Sequence, residues 1–294
     1  MKPVGLRAAW VMALVALIAP GMAAQRGGGG RGGPPPTGRA GAPVDLTGYW
    51  VSVVTEDWRF RMVTPPKGDY ASVQLNAEGR RVADTWDPSK DGLCEAYGAG
   101  GLMRMPGRLH ITWDDDNTMK IETDAGQQTR LLHFGGTRPQ TPERTLQGYS
   151  VAQWVGGGGP GGLGGFAGFG GFGGNVAPDA AAPAGRGAPA APPAPAGAAA
   201  APAGRGAGAE RWGVLRVTTN QLKPGWLRKN GVPYSENTTL TENFMRFTDG
   251  TSDWFTVGTI VEDPTYLNGS FITSSNFKRE ADGSKFKPTA CRTS

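Results

Sequence analysis

Residues 155–210 are mostly Gly, Ala and Pro, and a run of that kind cannot supply a core. Residues 156–174 are Gly-rich, with Phe166, Phe169 and Phe172 at spacing three, and residues 177–209 are Ala, Pro and Gly. Neither half carries enough apolar surface to offset the entropy of ordering it, and prolines interrupt each Ala run before a helix propagates. A disordered, Gly-rich leader is expected over 25–43. Residues 26–42 and 155–210 together hold 27 of the 48 glycines, so the excess belongs to two segments. The remainder, 44–154 and 211–294, is rich in Trp, Val, Thr and Phe, as globular sequence is. No G-X-Y period runs through either stretch, which excludes collagen.

The N-terminus predicts export. Lys2 and Arg7 precede an apolar run from Ala8 to Ala19, followed by Pro20, Gly21, Met22, Ala23 and Ala24. A charged start, a short apolar stretch and small residues describe a signal peptide over 1–24, cleaved after Ala23 or Ala24. An uncleaved anchor is the alternative, but the run is shorter than the roughly 18 residues a membrane helix needs. No later run reaches that length, so no transmembrane span is expected after signal removal. The expected location is periplasmic or secreted. Removing Lys2 and Arg7 from the 30 basic residues leaves 28 against 25 acidic ones. That balance is too even for a nucleic-acid footprint, and Arg26–Arg31 reads as solvated linker. Cys94 and Cys291 are the only cysteines. In an oxidising compartment they can pair and pin the C-terminal tail; two free thiols are the alternative.

The ordered segments read as strands. Leu109, Ile111 and Trp113 alternate with His110 and Thr112; Met119 and Ile121 alternate with Lys120 and Glu122. A three-residue loop, Asp115–Asn117 with Asn117 left-handed, pairs Trp113 with Met119 and Ile111 with Ile121, keeping one face apolar. It sets His110 across from Glu122. A weak repeat follows: Ile111-Thr-Trp113 and Met119-Lys-Ile-Glu-Thr123 match Ala152-Gln-Trp154 and Leu215-Arg-Val-Thr-Thr219. The first pair is joined by a turn and the second by the 155–210 tract, so the tract reads as an overgrown hairpin loop. Long loops cost little, about 0.6 kcal/mol per doubling. One β domain over 44–294, interrupted by a disordered insertion, is expected rather than two domains. Further strands are expected at Tyr49–Thr55, Thr129–Phe134, Leu240–Phe247, Trp254–Val261 and Ser270–Phe277, with a hairpin at Asp249-Gly250. A single helix is expected over Asn76–Trp86, capped by Asn76 and stopped at Asp87-Pro88. This is an all-β pattern, an antiparallel barrel or sandwich.

Two resemblances attach to these residues. Gly148-Tyr-Ser-Val-Ala-Gln-Trp154, Val214-Leu-Arg-Val-Thr-Thr219, Leu240-Thr-Glu-Asn-Phe244 and Ile260-Val-Glu-Asp-Pro264 resemble a group of secreted bacterial proteins without an assigned activity. In that group a G-x-S-x-x-x-W strand turns briefly into a hydrophobic-Thr strand, and a strand with E-x-F and an E-D-P turn follow. The resemblance implies an exported, mainly β protein; here the brief turn is replaced by the tract. Asp45-Leu-Thr-Gly48-Tyr-Trp50 resembles the G-x-W entry strand of lipocalin-like barrels, which implies a ligand cavity inside a barrel and makes the barrel the favoured form.

Chemistry is sparse. His110 and His133 are the only histidines, and His110 beside Glu122 is too little for a metal site. Asp114-Asp115-Asp116-Asn117 lacks the Gly and terminal Glu of a Ca²⁺ loop. Gly148-Tyr-Ser150-Val-Ala152 runs into a strand rather than a helix, unlike a nucleophile elbow. No metal and no cofactor are expected. Period two places Leu240, Glu242, Phe244 and Arg246 on one face, so Glu242 and Arg246 are expected as a paired couple marking a pocket. The alternative is a bulge near Asn243 that turns both outward. The segment Lys223–Glu236, with Trp226, Arg228, Lys229 and Tyr234, reads as a loop, either an ordinary solvated one or one at a barrel mouth touching an anionic or aromatic ligand. The expectation is an exported barrel binding a small apolar or amphipathic ligand without chemistry. The alternatives are a cavity enzyme using Glu242 or His110 as acid–base, and an envelope interaction protein whose tract engages a partner that the sequence does not name.

Overall fold

A computed structural model of the chain describes residues 37–135, 143–156 and 212–293. The signal-like segment, most of the leader and most of the Gly/Ala/Pro tract lie outside the described residues. The fold is all-β: a closed barrel of nine strands with short helices gathered at one end. The strands are β1 (Gly48–Val53), β2 (Arg108–Asp115), β3 (Thr118–Thr123), β4 (Ala125–Gly126), β5 (Thr129–Phe134), β6 (Tyr149–Val155) and β7 (Val214–Asn220). They continue with β8 (Gly225–Arg228), β9 (Val232–Tyr234), β10 (Thr239–Asp249), β11 (Ser252–Glu262), β12 (Phe271–Glu280) and β13 (Thr289–Ala290). The barrel order is β1-β12-β11-β10-β7-β6-β5-β3-β2, and β1 closes the ring by pairing with both β12 and β2. Nine strands cannot alternate in direction all the way round, so one neighbouring pair must be parallel. That pair is β5–β6. Parallel neighbours need a crossover of about a dozen residues, and 135–148 provides it.

The first hairpin adopts the register that keeps one face apolar: Trp113 faces Met119, Ile111 faces Ile121 and His110 faces Glu122. The extra residue is absorbed differently from expectation. The pairing shifts between Trp113 and Asp115, leaving Asp116-Asn117 as the turn, and Asn117 has no positive φ. The Asp115 side chain accepts from the Asn117 amide at 2.6 Å, which holds that tighter turn without a left-handed residue. The repeat holds residue for residue: Trp154 faces Leu215, Ala152 faces Val217 and Ser150 faces Thr219. Val155 pairs with Val214, so residues 156–213 connect two adjacent antiparallel strands.

Inward residues of the strands fill the barrel. Trp50, Phe244, Phe255 and Phe277 form its aromatic centre, with Trp50 edge-on to Phe255 at 4.7 Å and Phe255 stacked on Phe277 at 4.8 Å. The lower rim is where the turns 116–117 and 250–251 lie. Residues 37–43, expected as leader, are docked there: the Trp154 indole donates to the Gly38 carbonyl at 2.8 Å, and the Gly38 amide donates to Asn117 Oδ1 at 2.9 Å.

The opposite end is capped by the long β1–β2 connection, which carries α1 (Trp58–Arg61), α2 (Ala77–Ala83) and α3 (Ala99–Leu102). Only α2 was legible, and its Asn76 cap forms, accepting from the Gly79 amide at 2.8 Å. Asn76 Nδ2 also reaches the Thr265 carbonyl at 2.9 Å, tying the helix to the β11–β12 loop. In that loop Asp263 of the E-D-P turn is buried. Its carboxylate accepts from the Ser235 amide and hydroxyl, the Thr238 hydroxyl and the Thr265 amide. A second core of α2, α3, β8, β9 and the upper ends of β10–β12 seals the cap, with Leu227, Val232, Tyr234 and Leu240 at its centre.

Beyond β12 the tail leaves the lower rim, passes Tyr49 and His110 with Phe286, and adds β13 to β4 at the capped end. There Cys291 is bonded to Cys94, with Cα atoms 5.0 Å apart. Among the described residues no helix is long and apolar enough to cross a membrane.

Two outcomes follow for stability. Replacing residues 157–211 by a four-residue turn shortens the β6–β7 loop by roughly three doublings, a gain of about 2 kcal/mol. Thermal unfolding of that variant should stay cooperative with an equal or higher Tm; loss of cooperativity would make the tract structural. Cys94→Ser should cost about 2–5 kcal/mol and expose residues 281–293 to limited proteolysis while barrel amides keep their exchange protection.

Candidate functional site

Glu242 points into the barrel from β10, on one face with Leu240 and Phe244. Its partner is not Arg246, which corrects the expected pair. Arg246 continues the same face but lies beyond the packed interior, at the lower rim. There its guanidinium donates to Asp253 Oδ2 and to the Asp45 carbonyl, both at 2.9 Å. No bulge intervenes, since β10 and β11 stay in register throughout.

The carboxylate of Glu242 instead meets Arg130 of β5 at 2.5 Å. Arg130 Nη2 also donates to Thr219 Oγ1 at 2.8 Å, its Nε reaches Ser150 Oγ at 3.3 Å, and the two hydroxyls lie 2.7 Å apart. The four residues come from four adjacent strands, β5, β6, β7 and β10, and form a polar belt inside the wall. Ser150 is thus a strand residue whose hydroxyl serves the belt. Arg130 Nη1 and Glu242 Oε1 make no hydrogen bond. Glu242, Phe244, Val257, Leu215 and Val217 are all 0% exposed, so no water-sized void touches any of them. The barrel at this level is filled by side chains, and no substrate reaches Glu242.

The segment Lys223–Glu236 is not a solvated loop. It is the β8–β9 hairpin, turned at Lys229-Asn230-Gly231 and packed on α2 and α3. Gly231 has φ 79° and sits where a Cβ would strike Trp86, so both conformation and space require glycine. Trp226 is half-buried, whereas Arg228 and Tyr234 are fully buried. Gly98 and Gly225 leave no room for a Cβ beside the Tyr234 hydroxyl, which has no hydrogen-bond partner. Burial pushes that phenol well above its ordinary pKa. Tyr234 is therefore a packing residue of the cap, closed to ligand.

Arg228 belongs to a cluster that the sequence did not announce. Arg61 of α1, Arg104 after α3 and Arg228 of β8 are 2%, 5% and 2% exposed. The Arg228 guanidinium lies over Phe60 at 4.0 Å and, with Arg104, over Phe271 at 5.7 and 5.4 Å. These cation–π contacts replace part of the lost hydration. Hydrogen bonds replace little of the rest. Arg61 Nε donates to the Arg104 carbonyl at 2.9 Å, and Arg228 Nη1 donates to the Ala71 carbonyl at 2.6 Å. Arg61 Nη1, Arg228 Nε and Arg228 Nη2 have no partner. Asp57 supplies the trio's one ion pair among the described residues, to Arg104 at 3.1 Å. Burial, and next the charge of Arg104, pull Arg61 and Arg228 down to about 10. Phe60, Arg61, Arg104, Met105, Leu227 and Arg228 line a crevice here, with Lys229 beside them. Its water-sized core is about 10 Å³, the space of a single water.

His110 faces Glu122 at 3.3 Å on the outer wall, stacked under Tyr49 at 4.1 Å. His133 stacks on Tyr149 across the β5–β6 seam at 4.8 Å. The structure does not bring the two histidines together. Among the described residues no group of three or more His, Cys, Asp or Glu is placed to hold a metal ion. Two shallow grooves, of about 430 and 680 Å³, flank the tail and the Cys94–Cys291 bond.

Arg130 and Glu242 give a clear energetic outcome. Breaking a buried pair from one side strands a charge, so Arg130→Met or Glu242→Gln should each cost about 3–5 kcal/mol in denaturant unfolding. Arg130→Met combined with Glu242→Leu should cost far less than the sum of the single changes. Additive losses would mean that the pair is not coupled.

The chain matches no protein-family model, no curated protein and no solved structure.

Proposed function

We propose that the protein is an exported, non-catalytic β-barrel that binds a small amphipathic ligand at its capped end, outside the barrel interior. The observation that carries this reading is the contrast between the two ends of the polar inventory. The interior belt of Arg130, Ser150, Thr219 and Glu242 is sealed among side chains at 0–1% exposure. At the cap, Arg61 and Arg228, whose guanidiniums carry nitrogens without partners, line a crevice together with Phe60, Met105 and Leu227. Polar donors beside apolar walls supply the orienting anchor of a small-molecule site, and the crevice holds one atom of such a ligand. The N-terminal signal pattern supports export, and the Cys94–Cys291 bond fits an oxidising compartment.

A second reading, an envelope interaction protein, is favoured by an exposed apolar row at the roots of the tract. Val155 pairs with Val214, Val214 with Met245, and Phe247 with Trp254 across the outer wall, and Met245 and Phe247 are exposed.

The amphipathic anion 1-anilinonaphthalene-8-sulfonate separates the two. Under the proposal it binds saturably, and hydrogen exchange slows in residues 94–105 and 223–236. Protection confined to 151–155, 214–218 and 243–256 would transfer the function to the outer row. Protection in β2, β3 or β5 would restore an interior site.

A further inference from the structure

We infer that the Arg61–Arg104–Arg228 crevice is a receptor for one oxygen of a carboxylate or phosphate group, the anionic head of the capped-end ligand. The inference rests on the capped-end reading and adds the chemistry of the head and the residues that hold it.

Charge bookkeeping at the crevice motivates it. Three guanidiniums are removed from water, and buried charge is costly unless it is paired. The nearby carboxylates are already engaged. Asp57 bonds Arg104; Glu56 accepts from the Ser274 hydroxyl and from Asn276 Nδ2; Asp69 pairs with Arg59. None touches Arg61 or Arg228, and Lys229 at the same crevice adds a fourth cation. The cluster is therefore short of negative charge where donors are unmet: Arg61 Nη1, Arg228 Nε and Arg228 Nη2. The Nε and Nη2 edge of one guanidinium forms a fork whose two N–H groups can converge on a single oxygen of a carboxylate or phosphate. Phe60 and Phe271 fix the plane of Arg228, so this edge is oriented before anything binds. The small core admits one oxygen and leaves the rest of the ligand outside. A hydrophobic tail would leave along the Phe60, Met105 and Leu227 walls.

Natural sequences rarely keep such a like-charge cluster for stability, and this suggests a distinctive test. Arg228→Met preserves length and packing while removing one uncompensated charge. In chloride it should leave the Tm unchanged or higher. The wild-type protein at constant ionic strength should show a saturable rise in Tm with inorganic phosphate and with acetate. Octanoate, which adds an alkyl tail to the acetate head, should bind at least tenfold more tightly than acetate. In Arg228→Met each anion's affinity should fall at least tenfold, and Arg228→Lys, which keeps the charge but loses the fork, should resemble Met more than wild type. If Arg228→Met does not fold, soaking wild-type crystals with selenate gives an independent readout, an anomalous peak within hydrogen-bond reach of Arg61 and Arg228.

Equal anion-dependent shifts in wild type and Arg228→Met, or selenate absent from the crevice, would overturn the oxyanion receptor. If sulfonate-dye protection at 94–105 and 223–236 persists in that case, the capped-end reading stands alone. Loss of both results overturns both. Phosphate and acetate binding without an octanoate advantage would make the head a free small anion and sever it from an amphipathic ligand.

Discussion

An odd number of strands in a closed ring forces one parallel seam, and much of the molecule is arranged around it. Because β5 and β6 run the same way, the chain must travel the length of the barrel between them. The arriving segment, just before β6, does structural work at the cap. The Thr145 carbonyl accepts from the Lys223 amide at 2.8 Å, and the Leu146 carbonyl accepts from the Ala99 amide at 2.9 Å. The crossover thereby joins α3 to the strand leading into the β8–β9 hairpin. The polar belt spans the same seam: Arg130 lies on β5 and Ser150 on β6, with Leu132 paired to Ser150.

The seam also explains why burial is distributed as it is. Inside the wall, Arg130 is matched by one carboxylate and two hydroxyls, so a charged residue sits at 1% exposure within an otherwise apolar barrel. At the cap three arginines share one direct carboxylate and draw on aromatic rings instead. The two clusters obey the same electrostatics with different degrees of compensation. The matched one locks four strands together; the unmatched one leaves donors unmet in side chains that line a crevice. Burial of polar groups is a constraint in the first case and a capacity in the second.

What could be read from the sequence depended on periodicity. The 109–123 hairpin, its copy around Trp154 and Leu215, and the long β10 and β11 strands follow period two closely enough to give register. Glu242 was legible as an inward charge for that reason. Its partner was legible too, because Arg130 shares a face with Leu132 and Phe134 by the same alternation. Nearness in sequence favoured Arg246, while closure of the barrel brought β5 within reach of β10. The β8–β9 hairpin carried an Asn230-Gly231 turn signal flanked by Leu227 and Val232, but its mixture of basic and aromatic residues suggested solvent. Arg61 and Arg104 had no such signal. They lie in short helices and irregular backbone, where no period links a residue to a face, and only the fold assembles them.

The bond between Cys94 and Cys291 encloses 197 residues of sequence separation, including every barrel strand except β1. The chain is therefore a covalent macrocycle with two free arms, and the Gly/Ala/Pro tract is an arc of the ring. A protease that cuts anywhere in that arc opens the circle without releasing a fragment, because the two halves stay joined through sulfur. On a non-reducing gel the cut protein remains one species, and it separates into two only when a thiol is added. A single cut in the tract thus leaves the protein one covalent molecule for as long as the Cys94–Cys291 bond holds.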